Sequence, residues 1–136
     1  MSNLPRYTTP KEKPEAVRNS NSDEVQGQAA SSYEVRAAKA LDTLKIPFIF
    51  QYRLFGGRNL LGGRVIDFLA LTVPLSTPVE IHGEYWHQPY LKSSDDEILR
   101  GILKSLGGFA ELEIIWGVDL QTDEDTLAAF RRELGL

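Results

Sequence analysis

The first half of the folded chain opens with a helical pattern of apolar positions. Within SSYEVRAAKALDTLKIP, the residues spaced as on one helix face are Val35, Ala38, Leu41 and Leu44. Ser31, with Glu34 three residues later, fits a capping box at the start of this helix, and Pro47 follows its end. The pattern therefore predicts a helix of about fourteen residues.

Three stretches with strand character follow. FIFQYRLF (48–55) is apolar, aromatic and partly alternating, RVIDFLAL (64–71) is a second apolar run, and VEIH (79–82) is a third, bounded by Gly83. GGRNLLGG (56–63) has four glycines in eight residues, too many for the interior of an element, and predicts a hairpin or mobile loop. TVPLSTP reads as a turn between the second and third strands.

The second half predicts a helix, a strand and a last helix. Ser94 is the expected N-cap of a helix over 94–106, with Asp95, Asp96 and Glu97 in its first turn and a glycine pair as its stop. A strand over 109–116 and a helix capped by Thr122 follow. Because a helix lies between the strands at 79–82 and 109–116, we expect those strands to be parallel neighbours. The prediction is an α/β domain with a mixed sheet flanked by helices.

Residues 1–30 differ from the rest in composition. They are rich in Pro, Ser, Asn, Gln and Lys and show no apolar period, so burial cannot offset the entropy of ordering them. We expect a flexible N-terminal tail, held in place where a protein partner or a second copy of the chain binds it. Residues 31–136 then form a single domain.

Composition excludes several classes of site. The chain of 136 residues contains no cysteine, which rules out disulfides, thiolate zinc sites and cysteine nucleophiles. No stretch approaches the roughly 18 consecutive apolar residues that would span a bilayer, and the N-terminal region lacks the apolar run of a signal peptide. We expect a soluble protein without a membrane partner, located in the cytoplasm of a bacterial or phage-infected cell.

The net charge of −4 is unevenly distributed. Residues 31–66 hold six basic and two acidic residues, a net charge of +4 (6 − 2), whereas residues 67–136 hold five basic and thirteen acidic residues, a net charge of −8 (5 − 13). A polyanion such as DNA would therefore meet the first segment. Ordinary solvated lysines and arginines explain the same pattern, so charge does not decide the partner.

Two carboxylates on neighbouring strands are the candidate chemistry. Asp67 interrupts the apolar run RVIDFLAL, and a lone carboxylate in such a strand is costly unless it is paired or binds a cation. Glu80 lies thirteen residues later, a separation at which a hairpin brings the two side by side, and His82 shares a strand face with Glu80. Since two close carboxylates repel and a bound Mg²⁺ or Mn²⁺ removes the repulsion, the pair predicts a hard-metal site.

Each of these residues also has a purely structural interpretation. The acidic pair could form a buried ion pair with Arg64 or Arg53, and His82 could be a satisfied core histidine. Glu34 lies on the core-facing helical stripe and could be a capping-box glutamate only. Tyr85 and Trp86 could serve packing alone. The order of the motifs argues against packing as the full explanation.

At this point the sequence resembles a known family. The matching features are Glu34 on a first helix, Gln51 in the next strand, GGR followed by VIDF, the stretch VEIHGEYWH, a capped helix ending LGG, and a strand ending IIWG. Together they resemble the PD-(D/E)XK nuclease superfamily. Within it, HGEYWH is most similar to the very short patch repair endonucleases and their phage and homing-endonuclease relatives. The resemblance covers roughly residues 31–120.

The resemblance implies a restriction-endonuclease-like fold and a Mg²⁺- or Mn²⁺-dependent DNA endonuclease. Asp67 and Glu80 would bind the metal together with the carbonyl of Ile81, and His82 would orient the attacking water or stabilise the phosphate. The other residues to which the resemblance gives a role are His87 at the metal-bound water or phosphate, Glu34 near the metal, and Tyr85 and Trp86 against DNA. We further expect Arg58 and Arg64 to contact backbone phosphates, since glycines 56, 57, 62 and 63 let that loop approach a duplex closely.

Other functions stay open. The repair enzymes carry a structural zinc held partly by cysteines, which this chain lacks, and their mismatch-recognition elements are not recognisable here. The main alternative is a nuclease-fold structural or interaction subunit of a phage or nucleoprotein assembly without cleavage activity. A DNA-binding protein without cleavage is a third possibility.

Overall fold

The computed structural model of the protein describes residues 24–57, 63–83 and 89–136. Its elements in chain order are β1 (Glu24–Val25), β2 (Gln28–Ala29), α1 (Ser32–Thr43), β3 (Phe48–Leu54), β4 (Arg64–Ala70), β5 (Thr77–His82), α2 (Pro89–Leu106), β6 (Glu113–Trp116) and α3 (Asp123–Glu133). A 3₁₀ turn, Gly117–Asp119, joins β6 to α3. The described chain is a single mixed α/β domain.

The central sheet has four strands in the order β3-β4-β5-β6. The first two pairings are antiparallel, and β5 pairs with β6 in parallel through the crossover that contains α2. The predicted parallel pair is thus confirmed. β6 is shorter than the predicted strand 109–116, because Phe109 makes only an isolated bridge to Ser76 before the chain enters the ladder at Glu113.

Apolar side chains form one cluster on each face of the sheet. The larger cluster joins α1 and α3 to the sheet through residues such as Leu41, Phe68 and Phe130, all of them 0% exposed. The smaller cluster packs Leu99 and Leu103 of α2 against the other face. The helices therefore flank the sheet on both sides. Each face of the sheet buries its apolar side chains against helices, which places the sheet in the centre of the domain.

Two helix starts agree with the sequence prediction. Ser31 Oγ accepts a hydrogen bond from the backbone N–H of Glu34 at 3.2 Å, and Glu34 Oε1 accepts one from the N–H of Ser31 at 2.8 Å. This is the predicted capping box, which satisfies two donors that the first turn leaves without helical partners. Thr122 caps α3 in the same way, through the N–H of Asp125.

The predicted start of α2 was wrong. The helix begins at Pro89 and not after Ser94, which lies inside it. Proline is well suited to a first helical position, since it has no N–H that would need a helical partner and its φ is already helical. The acidic run from Asp95 to Glu97 consequently lies beyond the first turn of the helix.

Residues 24–30 are folded, although we expected them to belong to the flexible tail. β1 and β2 form a hairpin around Gln26 and Gly27, whose φ values of 51° and 77° suit a two-residue turn of the mirror-image type. Val25 is 5% exposed and joins the larger cluster. The Gln26 amide binds the edge of β3, with its Nε2 donating to Phe48 O and its Oε1 accepting from Phe50 N, both at 2.8 Å. The packed domain thus includes this hairpin, and residues 1–23 lie outside the described residues.

No helix within the described ranges is long and apolar enough to cross a lipid bilayer.

Candidate functional site: two carboxylates and a histidine between strands

The candidate site lies where the pairing of β4 with β5 ends. The two strands pair at Ala70 with Thr77, Leu69 with Pro78, and Phe68 with Val79. One step further along the same register brings Asp67 opposite Glu80. These are the two acidic residues that the sequence singled out, and they meet on adjacent strands.

The two carboxylates are interlocked with the backbone of the opposite strand. The N–H of Asp67 donates to Glu80 Oε2 at 3.2 Å, and the N–H of Ile81 donates to Asp67 Oδ2 at 2.7 Å. At this point, side-chain oxygens thus accept the hydrogen bonds of strand N–H groups. In a regular ladder, backbone carbonyl oxygens would accept them. The arrangement holds both carboxylates between β4 and β5, with Glu80 only 17% exposed at its side chain.

His82 lies beside the acidic pair. It is 5% exposed, and its Nε2 is 4.0 Å from Glu80 Oε1 and 3.7 Å from Oδ1 of Asp96. The ring also meets the indole of Trp116 edge to face, with centroids 4.8 Å apart and an interplanar angle of 80°. Among the described residues, two carboxylates and one aromatic side chain therefore lie next to the imidazole.

Asp96 is a member of the site that the sequence did not reveal. Its spacing along the chain suggested a first-turn acid that favours the helix dipole, which is the ordinary role of such a residue. Asp96 lies three residues before Leu99 and seven before Leu103, the buried α2 residues of the smaller cluster, so helical spacing places it on the side that packs on the sheet, where it reaches His82. The spacing of Asp96, Leu99 and Leu103 was the signal that the sequence offered, since i, i+3 and i+7 lie on one helix face.

Three of the remaining predicted residues lie in the part of the chain that the structure describes: Glu34, Arg64 and Ile81. Glu34 takes part in the capping box of α1 with Ser31, which was its structural interpretation. Arg64 is the first residue of β4, opposite Leu54. Ile81 donates its N–H to Asp67, and its side chain packs on the larger cluster. Arg58, Tyr85, Trp86 and His87 lie outside the described residues.

The ends of β5 and β6 are pressed together just before residue 84. A Cβ built on Gly117 would collide with the carbonyl oxygen of Gly83 and would crowd the ring of Tyr33. Tyr33 in turn accepts a hydrogen bond at its hydroxyl from Nε2 of Gln121 at 3.1 Å. Gly83 is therefore anchored at the C-terminal edge of the sheet, next to His82.

The donor set fits Mg²⁺ or Mn²⁺. Magnesium keeps several waters and is held through one or two protein carboxylates, which Asp67 and Glu80 supply from adjacent strands. No group of three or more His, Cys, Asp or Glu side chains with metal-holding geometry occurs among the described residues.

Comparison of the chain with family models, with curated proteins and with solved structures returned no match. The site geometry and the sequence motifs are accordingly the basis for the function proposed below.

Proposed function

We propose that the protein is a metal-dependent DNA endonuclease that hydrolyses phosphodiester bonds with Mg²⁺ or Mn²⁺. The observation that carries the proposal is the interlocked pair Asp67 and Glu80, with the imidazole of His82 4.0 Å from Glu80. Two carboxylates that face each other on adjacent strands repel, and a divalent cation would relieve that repulsion.

The architecture supports a restriction-endonuclease-like assignment. A mixed sheet with helices on both faces, an acidic residue on each of two adjacent central strands, and a histidine two residues after the second are the features that the PD-(D/E)XK resemblance leads us to expect. On this proposal the nuclease domain comprises residues 31–136, from α1 to α3.

Each residue of the site has a proposed task. Asp67, Glu80 and the carbonyl of Ile81 hold the cation, which when bound acidifies a water and neutralises phosphate charge. His82, kept in place by Glu80 and Asp96, orients the attacking water or donates a hydrogen bond to the phosphate. Glu34 and His87 are proposed to complete the water and phosphate contacts.

DNA is proposed to approach from the side of the basic segment. Arg64 at the start of β4 and Arg58 in the glycine-rich loop would contact phosphates, which position a duplex without reading its sequence. Tyr85 and Trp86 follow Gly83 and would lie against the bases. The acidic second half of the chain makes a cation at the site necessary for phosphate to come close.

The test is cleavage of supercoiled plasmid DNA in the presence of Mg²⁺ or Mn²⁺. We expect Asp67→Asn to lower the rate by on the order of 100-fold or more, because a neutral amide would hold the charge-neutralising cation more weakly than the carboxylate does. Asp42→Asn removes an exposed carboxylate from α1 and serves as the matched control, with an unchanged rate. A wild-type protein that neither cleaves DNA nor binds Mn²⁺ would rule the proposal out.

One observation favours the alternative of a structural or interaction subunit without cleavage. Glu34 uses its carboxylate in the capping box, so its contacts at the start of α1 are explained without any chemistry. On that alternative, wild type and Asp67→Asn would bind DNA or a partner protein equally well, and neither would cleave DNA.

A further inference from the structure

Gln51 has an unusual backbone for a residue inside a strand. Its φ is 57°, in the left-handed region that residues other than glycine rarely adopt. The other described non-glycine residues with positive φ lie in the β1–β2 turn (Gln26), after α1 (Lys45) and after β3 (Phe55), where such values are ordinary. Gln51 lies between two paired residues of β3 and therefore requires another explanation.

The side chains of β3 change faces at Gln51. Phe50 belongs to the cluster of α1 and α3, whereas Tyr52, two residues later, packs on the cluster of α2. Residues i and i+2 of a regular strand share one face, so the alternation is broken between them. A left-handed residue in a strand has this effect, because it rotates the following peptide and residue.

The neighbouring strand changes faces at the matching position. Phe68 pairs with Phe50 and lies in the larger cluster, and Ile66 pairs with Tyr52 and lies in the smaller one. The residue between Ile66 and Phe68 is Asp67, which the register places opposite Gln51. The break in β3 and the carboxylate in β4 thus occupy one position of the sheet.

The break in β3 accounts for the hydrogen bonds that Asp67 makes with β5. At this point the N–H of Asp67 donates to Glu80 Oε2, and its own Oδ2 accepts from the N–H of Ile81. In an unbroken ladder, the Asp67 side chain would stand perpendicular to the sheet, on one face. The backbone N–H and C=O groups of the strands would then hydrogen bond to each other. The Asp67 carboxylate can lie between β4 and β5 because the alternation is interrupted there.

We propose that Gln51 is a positioning residue of the acidic site. Its left-handed backbone interrupts the β3–β4 ladder and so places the Asp67 carboxylate between β4 and β5. The conformation of Gln51, more than its amide side chain, performs this task. The effect on metal binding rests on the proposed function, whereas the effect on the position of Asp67 does not.

Two substitutions at this position separate backbone from side chain. Gln51→Gly keeps the left-handed conformation accessible, and Gln51→Val disfavours it, since a β-branched residue at positive φ is a genuine outlier. In crystal structures of the two variants, we expect the 2.7 Å contact between Ile81 N and Asp67 Oδ2 to persist in Gln51→Gly and to be lost in Gln51→Val. For Mn²⁺ titrated into the folded proteins, we expect near wild-type affinity in Gln51→Gly and a loss of roughly 10- to 100-fold in Gln51→Val.

Lys45 provides the matched control, with a φ of 61° at the end of α1. Lys45→Val introduces the same backbone conflict outside the sheet, so it should lower stability without changing Mn²⁺ affinity. If Gln51→Val does not fold, the Gln51→Gly structure still tests the proposal. Loss of the contact between Ile81 N and Asp67 Oδ2 in Gln51→Gly overturns the proposal. Retention of that contact supports it.

The outcomes distinguish this inference from the proposed function. A wild type that binds no Mn²⁺ and cuts no DNA defeats the nuclease proposal, yet the two crystal structures still test the role of Gln51. A wild type that binds Mn²⁺, together with a Gln51→Val variant whose affinity and Asp67 position are unchanged, defeats the positioning role alone.

Discussion

The imidazole of His82 is enclosed by carboxylates on two sides and by an indole edge. Glu80 and His82 come from one strand, so their proximity follows from alternation along β5. Asp96 comes from α2 and approaches the same nitrogen to 3.7 Å. Because His82 is almost fully buried, these described neighbours contribute to its orientation. Asp96 is therefore a positioning residue for the imidazole on the proposed mechanism.

Removing the charge of Asp96 tests this arrangement at the residue scale. We expect Asp96→Asn to lower the DNA cleavage rate by roughly 10- to 100-fold, the loss typical when the group that orients a functional side chain is removed. Asp96→Asn removes one of the two carboxylates that the described residues place within 4.0 Å of His82 Nε2, and plasmid cleavage measures the consequence. Asp95→Asn removes an exposed carboxylate one residue earlier on the helix and should leave the rate unchanged. Equal rates for both variants would contradict a role for Asp96.

At the scale of elements, the site depends on how closely β5 and β6 end together. The four pairs from Val79–Glu113 to His82–Trp116 run in parallel up to Gly83 and Gly117. At that edge the Gly83 carbonyl lies where a side chain on Gly117 would need to be, and Tyr33 of α1 covers both glycines. Position 117 requires glycine because there is no space for a Cβ atom. Its φ does not lie in the left-handed region, so backbone conformation is not the reason.

Gly117→Ala should therefore destabilise the domain. The added methyl group meets backbone, which cannot move aside as a side-chain end can, so we expect a loss of about 1–3 kcal/mol in the free energy of unfolding. Gly101→Ala is the matched control: it lies inside α2 with open space around its Cα and should raise stability by up to about 1 kcal/mol. Urea denaturation of both variants measures the difference, and a neutral Gly117→Ala would contradict the close approach.

At the scale of the whole molecule, an acidic contact joins the sheet to α3. Burial raises the pKa of Glu113 on β6 to about 7, with further raising contributions from a hydrogen bond to Glu133 of α3 and from the charge of Glu133. Arg100 of α2 acts in the opposite direction and lowers the pKa, while Glu111 raises it. The contact between β6 and α3 is accordingly most favourable when Glu113 carries its proton.

This contact predicts a pH dependence of stability. The pKa of Glu113 is about 7 in the folded protein against an ordinary value of 4.5, so the folded state holds the proton more tightly. The stabilisation is fully present below pH 4.5 and is lost as the pH rises through about 7. Urea unfolding at about pH 5 and about pH 8 should show the lower stability at the higher pH, after allowance for other groups.

Glu113→Gln should remove this component of the pH dependence, because the amide stays neutral across the range and can still hydrogen bond to Glu133. The exposed carboxylate of Glu97 on α2 offers a comparison, since Glu97→Gln should leave the difference between the two pH values in place. A Glu113→Gln protein with the wild-type pH dependence would contradict the assignment.

The sequence by itself determined the elements whose signals are local. The capping box of Ser31 and Glu34, the Thr122 cap, the strand character of FIFQYRLF, RVIDFLAL and VEIH, and the parallel pair around α2 all follow from neighbouring side chains or from the length of one connection. The meeting of Asp67 and Glu80 belongs here as well, because a short hairpin leaves few registers that bury the apolar faces.

Only the tertiary structure decided where residues from distant elements meet. Val25 and Gln26 join the core and the edge of β3 through packing that their local sequence does not show. Asp96 reaches His82 because the side of α2 that carries Leu99 docks on one sheet face. The change of faces at Gln51 and Asp67 divides β3 and β4 between two apolar clusters, and the periodicity within a single strand does not show it. Local patterns report hydrogen bonding over a few residues, whereas these contacts depend on the packing of the whole domain.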